Sequence, residues 1–435
     1  MSSEVAGSQM SIGIGLMGLG KVGGRVAKVL QDRSEVIVQQ AGCPSILKKV
    51  LVHDPAKKRD IDFHLITTRV EDIMGDPEID IVVEVIGGEH PAWEYIKQAI
   101  FRGKHVVTAN KEVMAKHGVE LLALAREHEV DILYEASVGG GIPLITPLRQ
   151  DLVANKISTI YAIINGTTNH ILTMMSKEGL SFSPALRQAQ QLGYAEANPS
   201  DDIEGRDAAY KLAILASLAF HTIVRPEDVY CEGIAFLDEH DFRYAKELGY
   251  AIKLLAIAKE RNDSVEVRVH PVFIPAEFLL AKVDGVYNAV QVEGDLVGKM
   301  LFYGEGAGAL PTSSAIVADI ISLAQKINLK VKGSPWPLSS YCKTITPISE
   351  IETRYYIRMS IADHPGVLAQ IAKALGDHLI SIASVIQKES EVSTQTAEIV
   401  IMTYPAKEKA MQQALKEMEK IAVVKEIASF IRVEA

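Results

Sequence analysis

The chain has 435 residues, 48% hydrophobic and 23% charged, and a net charge of −10. At roughly 100–200 residues per domain this predicts two to four globular domains, and the acidic balance argues against a nucleic-acid partner, which needs a basic face. Cys43, Cys231 and Cys342 are far apart and form no CxxC pair, so neither a disulfide framework nor a zinc site is expected and the usage fits a reducing compartment.

The segment Met1 to Gln9 is small and polar, reads as a disordered lead-in and lacks the features of a signal peptide. Apolar runs such as Leu212 to Phe220 are too short to span a bilayer. A cytoplasmic location is the expectation.

The first 145 residues alternate short apolar runs with helical patterns. Strands are predicted at Ile12 to Leu16, Lys49 to His53, Ile79 to Ile86, His105 to Thr108 and Asp131 to Glu135. Helices are predicted at Gly23 to Gln31, Trp93 to Arg102 and Val113 to His128. Such alternation implies a parallel sheet with both faces covered. From about residue 146 the pattern becomes α+β, with a strand at Ile157 to Ile164 and helices at His170 to Lys177, Pro184 to Leu192 and Arg206 to Phe220. Ser313 to Lys326 is an amphipathic helix, and Gly333 to Pro337 is a breaker cluster suited to a linker. The last 85 or so residues read βαββαβ: Arg354 to Ser360, Val367 to Leu375, Ser381 to Gln387, Gln395 to Tyr404, Lys407 to Lys420, Val423 to Val433.

Gly18-x-Gly20-x-x-Gly23 lies directly between the first strand and the first helix. In that frame Gly18 permits a tight turn, Gly20 lets the backbone approach a pyrophosphate, and Gly23 lets helix and strand pack closely. The helix N-terminus then faces the phosphates. The second strand ends at His53-Asp54 and is followed by Lys57, Lys58 and Arg59. An acid there suits the ribose hydroxyl of NAD, and bases suit the 2′-phosphate of NADP. Both are present; the basic run favours NADP with some use of NAD, or is simply a solvated turn.

Lys111 sits where the fourth strand gives way to its helix, at the carboxyl end of the sheet, where ligands of doubly wound folds bind. Position alone also allows a surface lysine. Glu135-Ala-Ser-Val-Gly-Gly-Gly141-Ile-Pro143 makes a turn with exposed carbonyls, which with one carboxylate suits a hard cation, or is a plain chain reversal. A carboxylate-rich loop, Glu196 to Glu204, precedes a helix on which Asp207 and Lys211 are four residues apart and share a face. That helix continues as LAILASLAF, apolar on nearly every side, so the pair is expected to be buried. Burial lowers a lysine pKa and a nearby aspartate raises it, which fits a proton donor and acceptor.

With these pieces assembled, the chain resembles the homoserine dehydrogenase family along nearly its whole length. The resemblance rests on GLGKVG (18–23), VTANK (107–111), YEASVGGGIP (134–143), NGTTN (165–169), LGYAEANPSDDIEGRDAAYKLAILA (192–216) and GAGALPTSSAIVADII (306–321). It implies a Rossmann-type doubly wound α/β domain over 1–145 and an α+β catalytic and dimerisation domain over 146–312. A return helix and linker would follow over 313–345, and a regulatory domain over 350–435. The implied reaction interconverts L-homoserine and L-aspartate 4-semialdehyde with NADP or NAD, in threonine, methionine and isoleucine biosynthesis.

By the same resemblance, Lys211 is the proton donor and acceptor, Asp207 holds it, and Glu196 and Asp202 bind the substrate ammonium. Lys111 sits between substrate and cofactor. Gly18, Leu19, Gly20, Lys21, Val22, Gly23, Lys57, Thr108 and Gly306 contact the cofactor. Glu135, with the carbonyls of Val138, Gly140 and Ile142, holds a sodium ion. Asn198 departs from the family, which usually has Asp there, and Ser34 to Ser45 is longer than usual and expected to be a surface insertion. Asp363-His-Pro365-Gly366 resembles the loop of an ACT domain, with Asp363 capping the following helix and Asp363 and Gly366 near an amino-acid effector, L-threonine by implication. A homodimer or homotetramer is expected. The competing readings are another ACT-tailed amino-acid dehydrogenase and a non-catalytic amino-acid sensor; the loop Glu196 to Asp202 and the pair Lys111 and Lys211 speak against them.

Overall fold

The computed structural model describes residues 11–331, 342–387 and 395–434. The expected lead-in Met1 to Gln9, the linker Gly333 to Pro337 and the end of the run 381–389 lie outside the described residues.

The nucleotide-type sheet is built from β1 (Ile12–Met17), β2 (Ser45–Leu51), β3 (Ile66–Thr67), β4 (Ile81–Glu84), β5 (His105–Thr108) and β6 (Ile132–Leu133). Its order is β3-β2-β1-β4-β5-β6 and all its pairings are parallel, the strand order of a Rossmann sheet. The helices α1 (Lys21–Asp32), α2 (Ser34–Ala41), α3 (Glu71–Met74), α4 (Ala92–Phe101) and α5 (Lys111–Glu127) connect the strands. β1 and β4 are buried at every position, as a sheet covered on both faces requires. The two-residue β3 has too short a pattern to be read from sequence. The fifth predicted strand shortens to Ile132–Leu133 because Glu135–Ser137 turns into a 3-10 helix.

The stretch Ser34 to Ser45, expected as a surface insertion, holds a helix with one buried side. Residues 34–41 form α2, which buries Ile37 and Ala41, one helical turn apart, and Cys43 follows them into the core. These residues meet the helix α11 (Ala309–Asn328), whose Ile316, Ile320 and Leu323 are fully buried beside Val26 and Leu30. A buried face at i, i+4 makes a helix part of the core. The amphipathic Ser313 to Lys326 segment thus returns to cover the first sheet.

The middle of the chain holds β7 (Ile157–Ile163), α6 (Gly166–Glu178), α7 (Phe182–Gln191), α8 (Ser200–Ile203), α9 (Arg206–Ala219), β8 (Tyr230–Cys231) and α10 (Glu239–Glu247). The long strands β9 (Tyr250–Arg261), β10 (Ser264–Pro275), β11 (Tyr287–Gly294) and β12 (Gly298–Glu305) follow. After β13 (Thr344–Ile345), the C-terminal unit runs β14 (Glu352–Ala362), α12 (Val367–Asp377), β15 (Ile382–Gln387), β16 (Thr396–Thr403), the short β17 (Ala406–Lys407), α13 (Glu408–Met418) and β18 (Val424–Val433). This is the βαββαβ order expected.

The two units are not separate sheets. Among the described residues, one path runs β12-β11-β7-β9-β10-β18-β14-β16-β15. The joint is a short parallel pairing of β10 with β18, Val272 to Arg432 and Phe273 to Val433. It is reinforced by buried charge: Arg268 on β10 reaches Glu434 at 2.5 Å, and Arg358 on β14 reaches Asp241 on α10 at 2.8 Å.

The expected Asp363 cap is also corrected. α12 begins after Gly366, which takes a left-handed φ of 93° as its N-cap, and no side chain caps the helix. Asp363 lies three residues further back, exposed, with its backbone N–H given to Gln395 O. Only glycine enters that backbone region without strain.

Candidate active site

At the carboxyl edge of the first sheet, β1 ends at Met17 and the chain turns through Gly18 (φ 98°). A Cβ on Gly18 would lie 2.8 Å from Val85 O, and one on Gly23 would lie 2.1 Å from Gly18 O. Gly20 is the N-cap of α1 and faces open space, and no side chain caps that helix. Backbone N–H groups and the positive helix end are therefore open to an anion. Gly23→Ala should force helix and turn apart and weaken nucleotide binding by about tenfold or more; a dissociation constant matching the parent's would show that the close packing is dispensable.

A cavity of about 250 Å³ opens beside this turn. Its lining includes Val22, Glu84, Lys111, Lys211, Gly140 and Gly306. Glu84 is fully buried at the end of β4. Its carboxylate accepts from Ile86 N (2.7 Å), Gly87 N (3.4 Å) and the Thr108 hydroxyl (2.6 Å). Burial pushes its pKa up against those donors. The Thr108 hydroxyl is thus turned to Glu84 and accepts from Asn110 N at 3.0 Å. Asn110 caps α5 by accepting from Val113 N at 3.1 Å and donates to Gly88 O at 2.7 Å. That cap sets Lys111 at the first position of α5.

Lys111 then meets α9. Its ammonium donates to Asp207 Oδ1, while Lys211 Nζ donates to Asp207 Oδ2 at 2.7 Å and to Ile164 O at 2.8 Å. Lys211 and Asp207 are buried, as their helix predicted, and Lys111 is partly exposed. Burial pushes the Asp207 pKa up, but the two ammonium groups outweigh it and hold the carboxyl well below the usual range. Burial pulls Lys111 down, and the Asp207 charge outweighs that and holds it above the usual lysine value. Asp207 also lies in the first turn of α9, where the helix dipole favours an anion. An ammonium has three donors, of which Lys211 spends two on Asp207 and Ile164, and Lys211 is among the residues that line the cavity.

Asp202 joins the cluster through Asn165, which donates to Asp202 Oδ1 at 2.6 Å and to Asp207 Oδ2 at 2.8 Å. Thr167 donates to Tyr194 O at 2.7 Å and so ties α6 to the loop that carries Glu196. Glu196 itself is exposed and makes no described side-chain bond to the cluster. Lys57 is exposed in the loop after β2. In that loop Asp54 accepts from Ala56 N at 2.9 Å, and Arg59 donates to the carbonyls of Asp54 and Lys57. Gly306 meets the triple-glycine turn: a Cβ on Gly140 would lie 2.6 Å from Gly306 O, and one on Gly306 would collide with Asn288. Glu84, Asn110 and Asn165 were not among the predicted site residues. A carboxylate within the apolar run Ile81 to Ile86 and an Asn opening NGTTN were the available signals.

The sodium expectation does not fit as stated. The Glu135 carboxylate accepts from Leu144 N (2.6 Å), Ile145 N (2.8 Å) and Thr146 N (2.7 Å). It anchors the turn that follows, and its charge is engaged there. Among the described residues, no three Asp, Glu, His or Cys gather to hold a metal. No helix among them is long and apolar enough to cross a membrane.

Comparisons with known proteins converge on one family. A family model for homoserine dehydrogenase matches residues 143–321, one for the homoserine dehydrogenase NAD binding domain matches 18–135, and one for the ACT domain matches 355–423. A homoserine dehydrogenase of Synechocystis is 45% identical over 98% of this chain and its own full length. A solved homoserine dehydrogenase from Thiobacillus denitrificans superposes with a TM-score of 0.92 at 43% identity, covering 98% of both chains. A hyperthermophilic archaeal homoserine dehydrogenase in complex with NADPH is 27% identical, with a TM-score of 0.62, over 76% of this chain and all of its own.

Proposed function

The chain belongs to the homoserine dehydrogenase family, and from that premise we propose how its residues divide the work. The reaction class is oxidoreduction at a CH–OH group with a nicotinamide nucleotide. The observation that carries the assignment of roles is Asp207, one carboxylate gripping a lysine from each domain at the mouth of the nucleotide cavity. When bound, the cofactor supplies or takes the hydride at the substrate's terminal carbon. Lys211 gives a proton to the substrate oxygen in the reductive direction and takes it back in the oxidative one. Asp207 and Ile164 O hold that amine in place. Lys111 fixes the far side of Asp207 and lies between substrate and nicotinamide. Asp202 and Glu196 take the substrate ammonium.

NADP is the preferred cofactor. Asp54 is turned into its own loop, and Arg59 is tied to that loop's carbonyls, which leaves Lys57 and Lys58 for a 2′-phosphate. The enzyme serves threonine, methionine and isoleucine synthesis in the cytoplasm as a homodimer or homotetramer. L-threonine acts through the ACT domain near Asp363 and Gly366; that domain's β18 is hydrogen-bonded to the catalytic β10. Sodium has no part in this reading, because Glu135 is engaged elsewhere.

The test is nicotinamide absorbance with L-homoserine and NADP or NAD, with and without L-threonine. Turnover that favours NADP and is suppressed by threonine is expected. No turnover with either cofactor in a folded sample would overturn the reading; turnover indifferent to threonine would remove the feedback alone.

A further inference from the structure

Asn165 lies two residues beyond β7 and is 6% exposed. Its side-chain oxygen accepts from Thr168 N at 2.8 Å, which makes it the N-cap of α6. This settles which way the amide faces: Thr168 N–H can only donate, and the two ionised carboxylates on the other side can only accept. The two amide hydrogens therefore go to Asp202 on α8 and Asp207 on α9. One neutral group ties together the carboxylate assigned to the substrate ammonium and the carboxylate that holds the lysines. It does so without adding charge between them.

We propose that Asn165 is a positioning residue that keeps Asp202 aimed and ionised for the ammonium group of an α-amino-acid substrate while Asp207 stays committed to Lys111 and Lys211. The inference rests on the homoserine reading of the site. Asp202 needs such help. Its surroundings are burial and the Asp207 charge, which raise its pKa, against Asn165, Thr167 and Lys211, which lower it. Lys111, which feels the Asp202 charge, is held by Asp207. Without Asn165, the two acids lose their shared donor and Asp202 takes up a proton more readily. An uncharged Asp202 does not attract an ammonium.

Asn165→Ser separates this role from helix capping, because serine is an equally good N-cap but cannot supply both amide donors. The expected result is a melting temperature near the parent's and a KM for L-homoserine raised about tenfold or more. The KM for the cofactor should stay unchanged, and the acidic limb of kcat/KM should move to higher pH. The direction follows from the sign: the active form is the Asp202 anion, and losing donors raises its pKa. A folded Asn165→Ser enzyme with the parent's KM and pH profile would overturn the proposal. Should the serine variant fail to fold, Asn165→Asp keeps the cap and places a third carboxylate at the cluster. Its activity should be low at pH 8 and recover relative to the parent as pH falls; full activity at pH 8 would overturn the proposal. A parent enzyme that does not turn over L-homoserine would overturn the homoserine reading and this inference with it, whereas an active parent paired with an unaffected variant overturns the inference alone.

Discussion

Lys211→Met should lower kcat by about 10²- to 10⁴-fold while leaving the cofactor dissociation constant close to the parent's. Methionine fills nearly the volume of the lysine stem, so the buried helix α9 loses little packing. Asp207 keeps Lys111 as a charged partner after the change, so no buried carboxylate is left bare. What disappears is the Lys211 ammonium, and with it the proton proposed for the substrate oxygen. Lys111→Met should behave differently. Lys111 is partly exposed and touches Asp207 from the cofactor side, so its loss should raise the substrate KM as well as lower kcat. Asp207→Asn should show both kinds of defect, a lower kcat and a higher substrate KM, because it removes the charge that both ammonium groups share, and the effects of such neighbours do not add. Steady-state kinetics on folded variants decides the matter: Lys211→Met with half the parent's turnover or more would transfer the proton role to another group.

Part of this site was legible in the sequence because its chemistry is local. Asp207 and Lys211 are one helical turn apart, so spacing alone puts them on one face, and the apolar continuation of α9 announced their burial. The glycine loop likewise carries its function within six residues. The rest depends on contacts that only the fold makes. Lys111 reaches Asp207 across 96 residues and Asn165 reaches it across 42, and no periodicity links such positions. The same limit explains the errors. Ile37 and Ala41, one turn apart, hold residues 34–41 against the core as a helix, which the length of the stretch does not announce. Asp363 looked like a helix cap, yet Gly366 stands between it and α12. Glu135 looked like a cation ligand because nothing in the sequence tells that Leu144, Ile145 and Thr146 turn their N–H groups toward it. The unity of the two sheets was hidden for a similar reason: a two-residue parallel pairing has no sequence pattern of its own.

That joint is the ground for the second large effect. Arg432 on β18 is 2% exposed and bidentate to Glu408, Nε to Oε2 at 2.9 Å and Nη2 to Oε1 at 2.6 Å. It also donates to Glu232 in the catalytic unit at 2.7 Å. Arg432→Met should destabilise the protein by about 3–5 kcal/mol, because it leaves the buried Glu408 without its counter-charge. Glu232, partly exposed, can be rehydrated and adds less. Removing both charges, as in Arg432→Met with Glu408→Leu, should recover much of the loss, since two apolar side chains avoid the desolvation of an unpaired ion. Urea unfolding of the parent, both single variants and the double variant measures the coupling; additive losses would mean that water already screens the pair. The same change has a kinetic consequence. Ile234, two residues beyond Glu232, donates its N–H to Ile203 O at 2.9 Å, and Ile203 adjoins Asp202. Strand β18 is therefore connected through Arg432, Glu232 and Ile234 to the helix that carries Asp202, the carboxylate proposed for the substrate ammonium. Arg432→Met should raise the KM for L-homoserine and blunt any response to threonine together. A variant with lower stability but an unchanged KM and full threonine response would confine Arg432 to holding the sheet.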